Sequence, residues 1–386
     1  MIPYGRQSID DDDIAAVIEV LKSDYLTQGP AVPAFERRLA QYCGARHALA
    51  VNSATSALHI ACLALGVKQG DIVWTSPISF VASANCALYC GAAVDFVDID
   101  PRTFNMSVEA LREKLAAAER SGSLPSVVIP VHMAGQSCDM AGIAELAREY
   151  GFRVIEDASH AVGGAYRGAP VGGCQYSDIT IFSFHPVKII TTLEGGLLLT
   201  NDPTLAQHMA LLRSHGITRD PELMQREPDG GWYYEQIELG FNYRMTDVQA
   251  ALGSSQMTRL DAFVARRREL AARYDAAMPE LNIASPWQHP DAFSSYHLYV
   301  ARIDVARHRQ SKAQLYEGLR GRGVGVNLHY MPIYLQPYYA ALGFVPGLCP
   351  EAERYYREAI TLPLHPGMTD AQQDMVVIAL TAELAQ

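Results

Sequence analysis

HALAVNSATSALHIACLALG, from His47 to Gly66, is the stretch whose reading decides the fold. HALAV is a short apolar run with the composition of a buried strand. A polar turn follows at Asn52-Ser53, and ATSALHIACLALG then reads as a helix. Outward from it the alternation repeats. DIVWTS (71–76), AVDFVDI (93–99), SVVIPVH (126–132) and RVIEDAS (153–159) read as strands rich in Val and Ile. SVEALREKLAAAER (107–120) and DMAGIAELAREYG (139–151) read as helices between them, the second with a glycine stop. Strands alternating with helices predict an α/β fold with a mostly parallel sheet covered on both faces. TIFSFH (180–185) and GGLLLT (195–200) follow across a short link, which predicts two added strands and no further crossover.

Beyond about Thr246 the pattern changes. Residues 247–278 read as one long or broken helix, a bridge to a smaller unit. In that unit SSYHLYVARI (294–303) and VGVNLHY (324–330) read as strands. SKAQLYEGLRGRG (311–323) and TDAQQDMVVIALTAELA (369–385) read as helices. With 386 residues, the chain exceeds what one core usually supports. The expected division is a large α/β domain with an N-terminal arm over 1–250, and a linking helix with a small α/β domain over 251–386.

Composition bounds the partners. A net charge of −11 argues against nucleic acid, and no apolar run approaches a membrane span. The seven cysteines form no CxxC pair and no zinc-ligand spacing, so no metal is expected. Their odd number favours free thiols in a reducing compartment. The acidic start, MIPYGRQSIDDDD, does not resemble a signal peptide, and the expected location is the cytoplasm. GxGxxG after the first strand, GxxxxGK[ST], HExxH and GxSxG are all missing from the sequence. Hydride transfer, NTP hydrolysis, zinc hydrolysis and serine hydrolysis thereby lose their main signatures.

Three constellations remain. NSATSALH places Ser53, Thr55 and Ser56 where a strand hands over to a helix; free N–H groups and hydroxyls there bind anions, although helix capping alone accounts for such residues equally simply. Asp157 in RVIEDASHA follows a strand, at the sheet edge where parallel folds gather functional groups, with His160 close behind; a capping carboxylate is the alternative. Lys188 in SFHPVKIITTLEGG is one of only five lysines and sits among apolar and small residues. A partly buried lysine gives up its charge readily and can form a Schiff base; a lysine with its head in water is the plainer reading. A phosphate cradle, a carboxylate for a ring nitrogen and an imine-forming lysine are together the needs of pyridoxal 5′-phosphate. Phe80, in TSPISFVASAN after another strand, offers a ring to stack on it, or a core residue.

LTQGPAVPAFE, NSATSALH, TSPISFVASAN, EDASHA, FSFHPVKIITTLEGG, GFNYRMTDVQAALG and LHYMPIY, in this order, make the chain resemble the DegT family of fold-type I pyridoxal-phosphate aminotransferases over nearly its full length. The resemblance implies that Lys188 carries the cofactor and Asp157 meets its pyridine nitrogen. His160 would lie near the ring hydroxyl, Thr55, Ser56 and Ser183 would hold the phosphate, and Phe80 would stack. Asn242, with Arg244, would be lent by the neighbouring subunit of a homodimer. Arg244 and His329 are candidates for binding substrate, and His185 and Thr192 would support the site from behind. The implied reaction moves the amino group of L-glutamate to C4 of a nucleotide-linked 4-keto-6-deoxy sugar, with UDP-2-acetamido-2,6-dideoxy-β-L-arabino-hexos-4-ulose as the expected acceptor. Transfer at C3, or to GDP- or dTDP-linked sugars, is the nearest alternative. A sugar dehydratase would replace Lys188, and a silent sugar-nucleotide-binding module would have lost the site.

Overall fold

The computed structural model describes residues 1–304 and 310–385; residues 305–309 and 386 of the expected second domain lie outside the described residues. Helices α1 (Asp11–Leu21) and α2 (Ala31–Cys43) come first. The expected alternation follows: β1 (His47–Val51), α3 (Ala54–Ala64), β2 (Ile72–Thr75), α4 (Ala82–Tyr89), β3 (Ala93–Phe96), α5 (Val108–Ser121), β4 (Val127–Ile129), α6 (Met140–Tyr150) and β5 (Arg153–Asp157). Two short strands, β6 (Ala165–Tyr166) and β7 (Ala169–Pro170), lead to β8 (Ile179–Ser183), β9 (Gly196–Thr200) and α7 (Pro203–Leu212), and a further short pair follows, β10 (Ile217–Thr218) and β11 (Glu235–Gln236).

Seven strands form one sheet in the order β1-β9-β8-β5-β4-β2-β3. β3, β2, β4, β5 and β8 run parallel; β9 runs against both β8 and β1. The added pair is thus antiparallel, and β1 points the same way as β8. Alternating side chains serve two faces, as the pleat requires. Val127, Ile129, Ile155, Ile179 and Ile181 pack with residues of α3, α4 and α7, whereas Val128, Val154 and Trp74 pack with residues of α5 and α6. Phe182, Leu197 and Leu199 meet residues of α2 and α8 (Asp247–Gln256) on that second side.

The bridging segment is broken: a 3₁₀ turn at Met257–Arg259 separates α8 from α9 (Leu260–Ala277). Past it come β12 (Ala292–Phe293), β13 (Tyr299–Arg302), α10 (Lys312–Gly321), α11 (Pro337–Ala341), α12 (Pro350–Glu358), β14 (Ala359–Leu362) and α13 (Asp370–Leu384). Leu270, Tyr299, Leu319, Ile360 and Leu380 gather in a separate core, which Ile2 joins from the start of the chain.

Two expected strands differ. Of 294–303 only Tyr299–Arg302 is regular, because Ser295 and Leu298 donate their N–H groups to the carbonyls of Gly135 and Ala134. VGVNLHY is not a strand: it makes single bridges, Val324 to Ile2 and Asn327 to Thr361, and β14 takes the place beside β13.

Candidate active site

The carboxyl ends of β1, β2, β5 and β8 share one sheet edge, and Thr55, Ser56, Phe80, Asp157, His160, Ser183 and Lys188 lie at or after those ends. Between β8 and β9 the chain makes a closed loop. Phe184 N–H donates to Gly195 C=O (2.9 Å), and Phe184 C=O accepts from Thr192 N–H (3.1 Å) and the Thr191 hydroxyl (3.0 Å). Buried Thr192 donates its hydroxyl to Glu194 C=O (2.8 Å); His185 is exposed, 4.0 Å from the Glu194 carboxylate. Gly196 ends the loop against the start of α3, where a Cβ would come within 2.5 Å of the Ser53 carbonyl. Gly196→Ala is expected to destabilise the fold by about 1–3 kcal/mol through overpacking. Thermal melting would read this as a lower midpoint; an unchanged midpoint would mean that the helix start yields freely.

Lys188 projects from this loop. The residue keeps partial solvent access, but enough protein surrounds its amine for burial to lower its pKa from 10.5 to about 8, with Asp157 acting in the opposite sense. The neutral amine is therefore the dominant form above about pH 8 and the minor one below. Capture of added pyridoxal phosphate by the cofactor-free protein, followed by its visible absorbance, should speed up through a midpoint near pH 8. A midpoint near 10.5 would contradict this environment.

Asp157 ends β5 beside β8 and is 4 % exposed. Its Oδ1 accepts the Ser159 N–H (3.1 Å) and its Oδ2 the Ser83 hydroxyl (2.6 Å). Ser83 lies in α4, and its N–H donates to the carbonyl of Phe80 (3.3 Å). Phe80 itself is 61 % exposed, so it is not a core residue. An apolar ring left in solvent at a strand end is free to stack on a ligand.

His160 is buried, and burial together with Lys188 keeps its pKa well below 6.5. Its Nδ1 must accept, because the group facing it is the Ala134 N–H (3.3 Å). The ring proton therefore sits on Nε2, 3.3 Å from the Tyr330 hydroxyl. His297 packs on the same ring, with centroids 4.5 Å apart. His329 is buried as well; its Nδ1 is 2.9 Å from Thr361 Oγ1, and burial with Lys188 takes its pKa to about 3. Neutral imidazoles thus surround an easily deprotonated amine.

At the start of α3, capping is real and belongs to Ser53, which accepts the Ser56 N–H (3.1 Å). Ser56 spends its own hydroxyl on Asn52 Oδ1 (2.6 Å). The hydroxyls of Thr55 and Ser183 have no hydrogen-bond partner among the described residues. Unused hydroxyls beside the first N–H groups of a helix suit a phosphate.

Asn242 and Arg244 stand apart. Asn242 is exposed, and its carbonyl accepts from Asn52 Nδ2 (3.4 Å). Arg244 pairs with Val51 and leaves its Nε buried without a hydrogen-bond partner. It lines a cavity of about 740 Å³ with Gln28, His215, Arg219 and Tyr234. Among the described residues, no hydrogen bond or ion pair joins Asn242 or Arg244 to Lys188, Asp157 or His160.

Ser83, Tyr330 and His297 belong to this site beyond the residues expected from the sequence. Only Ser83 carried a signal: Ser79 and Ser83 are hydroxyl residues four apart just after a strand.

A match to the DegT/DnrJ/EryC1/StrS aminotransferase family covers residues 7–381. The chain belongs to this family. It is 39% identical over 370 residues, 95% of this chain and 93% of the relative, to the UDP-4-amino-4,6-dideoxy-N-acetyl-β-L-altrosamine transaminase of Campylobacter jejuni. Among solved structures it is similar to Helicobacter pylori PseC, an aminotransferase involved in the biosynthesis of pseudoaminic acid. That match has a TM-score of 0.91 and 31% identity, covering 100% of this chain and 99% of that one. It is also similar to Spr1654 of Streptococcus pneumoniae in a PLP form, at a TM-score of 0.88 and 28% identity, covering 100% and 98%. The protein is thus a sugar aminotransferase that uses pyridoxal 5′-phosphate. As a DegT-family enzyme it takes an amino donor and a nucleotide-linked keto sugar. The residues at the sheet edge fit that cofactor: unused hydroxyls at a helix start, a buried carboxylate, an exposed aromatic ring and a lysine with a lowered pKa.

Proposed function

We propose that this DegT-family enzyme transfers the amino group of L-glutamate to C4 of UDP-2-acetamido-2,6-dideoxy-β-L-arabino-hexos-4-ulose, in pseudaminic acid synthesis. The observation that carries the chemistry is the Lys188 amine, its pKa lowered to about 8 by burial beside Asp157. Similarity to the Campylobacter transaminase and to PseC supports the acceptor.

When bound, the cofactor supplies an aldehyde for the amine and an electron-withdrawing ring that eases loss of the Cα proton. Lys188 would hold it between turnovers. Released, the neutral amine takes the proton from the donor's Cα and, in the second half, delivers one to C4 of the sugar. Glutamate leaves as 2-oxoglutarate, and the sugar ketone becomes an amine. Asp157 would keep the ring nitrogen protonated, a carboxylate favouring the charged form. Phe80 would stack on the ring and His160 would turn its Nε2–H toward the ring hydroxyl. Thr55 and Ser183 would hold the phosphate with their unused hydroxyls, and Ser56 would join them by turning its hydroxyl away from Asn52 Oδ1. Arg244 and His329 would face the sugar nucleotide.

Asn242 would reach the site of a neighbouring copy, so the working unit is a homodimer. Ile14, Ile18 and Leu21 form an exposed apolar stripe on α1, 50%, 41% and 56% exposed, which supports association. Within each copy, residues 1–250 would form the cofactor-binding domain and 251–386 the smaller one. Seven free cysteines support a cytoplasmic setting, and among the described residues no helix is long and apolar enough to cross a membrane.

The test is turnover of the purified protein with L-glutamate and UDP-, dTDP- and GDP-linked 4-keto sugars, following 2-oxoglutarate and the aminated product. The UDP-linked acetamido sugar should give the highest kcat/KM, with the new amine at C4. Preference for a dTDP or GDP sugar, or amination at C3, would replace this acceptor by another. Release of no 2-oxoglutarate with any of these acceptors would remove L-glutamate as the donor.

A further inference from the structure

Behind the Asp157 carboxylate lies a chain of buried hydroxyls that the scheme above leaves unused. Ser79, Ser83 and Asp157 are 5 %, 1 % and 4 % exposed. Ser83 Oγ lies 2.6 Å from Asp157 Oδ2 and 2.7 Å from Ser79 Oγ. A carboxylate oxygen only accepts, so the single Ser83 proton points at Asp157. Ser79 must then donate to Ser83 Oγ, and the order of donation is fixed: Ser79 to Ser83 to Asp157.

We infer that Ser83, backed by Ser79, is the positioning residue that fixes Asp157 against the cofactor's ring nitrogen. This rests on the reading of Asp157 as that nitrogen's partner. The two hydrogen bonds to Asp157 set its rotation: Oδ1 is tied to the Ser159 N–H and Oδ2 to Ser83. Each oxygen keeps one lone pair for a further donor. Hydrogen bonds within such a chain polarise one another, so the Ser79 contact strengthens the Ser83 one. Ser83 also binds back to the Phe80 carbonyl, so one turn of chain sets both the stacking ring and the carboxylate. The Asp157 charge acts in turn on the Lys188 amine and the Tyr330 hydroxyl, raising the pKa of each.

Ser83→Ala removes one hydrogen bond to a charged group, a loss that corresponds to about a tenfold change or somewhat more in an equilibrium constant. Cofactor dissociation, measured by equilibrium dialysis of the homogeneous protein, should weaken by roughly 10-fold. The pH at which the visible band of the bound cofactor changes should move upward. A carboxylate freed from Ser83 draws the shared proton toward itself and leaves the ring less positive. Ser79→Ala acts only through Ser83 and should shift both readouts the same way, by less. Ser83→Thr keeps the hydroxyl and should restore the band's titration. A purely structural role would lower the melting temperature of Ser83→Ala while leaving the band's titration in place, and that result would overturn the inference. So would an S83A protein with unchanged dissociation and titration. If Ser83→Ala does not fold, Ser79→Ala decides by the same two readouts. Asp157→Asn serves as the control. If it too leaves both the dissociation and the band's titration unchanged, the reading of Asp157 has failed; if it alone changes them, only the role of Ser83 has.

Discussion

Replacing Lys188 by alanine should lower transamination by at least about 10⁴-fold, the upper end of what a positioned acid–base group contributes, because the substitution also removes the amine that holds the cofactor. The fold should survive, since the lysine hangs from a loop whose own hydrogen bonds run between Phe184, Thr191, Thr192 and Gly195. Stability should even rise near neutral pH. The folded-state pKa of about 8 lies below the 10.5 of the unfolded chain, so below pH 8 the unfolded state binds the proton more tightly. That handicap amounts to roughly 3 kcal/mol at ~1.4 kcal/mol per pKa unit, and it fades as pH rises from 8 toward 10.5. Melting of the cofactor-free proteins at pH 7 and near 10.5 would check it: K188A should melt higher at the first and equally at the second. A small primary amine added to K188A should recover part of the turnover, since it can enter the cleft and carry the proton. Full activity in K188A would remove the central residue of the proposed function.

Asp157→Asn should have the second-largest effect. The Ser83 hydroxyl and Ser159 N–H already donate to the two oxygens of this residue, so an amide would have to turn its NH₂ toward one of them or toward the ring nitrogen. Donor would face donor in a buried site. Breaking a buried charged pair by removing one partner costs about 3–5 kcal/mol, so cofactor affinity and turnover together should fall by at least about 10²-fold. Cofactor titration of the mutant, with turnover at saturating cofactor, would separate the two losses. Normal affinity with lost turnover would mean that Asp157 acts on the electronics of the ring and not on its retention.

The strand-to-helix alternation from His47 to Asp157 was legible because buried parallel strands need apolar runs, and helices between them need a 3.6-residue stripe. The antiparallel β8–β9 pair was legible from the short link, which leaves no room for a crossover. Lys188 and Asp157 stood out as polar residues at the ends of such runs. Val324–Tyr330 misled because an alternating apolar pattern says that a segment is half-buried and does not say which neighbour pairs with it. Ile2 and Thr361 each took its backbone at a single point, and the four residues of β14 claimed the edge of β13.

What the chain determined by itself was therefore the order of elements, the sheet edge at which function gathers, and the lysine and carboxylate on it. These follow from local periodicity, which neighbouring residues carry. Only the tertiary structure decided that Phe80 is exposed, that Ser53 takes the cap and leaves Thr55 free, and that His160 bears its proton on Nε2. It alone brought Ser83 to Asp157 across a separation of 74 residues and Tyr330 to His160 across 170. A hydrogen bond requires two groups within about 3 Å whatever their distance along the chain, and no local pattern records that meeting.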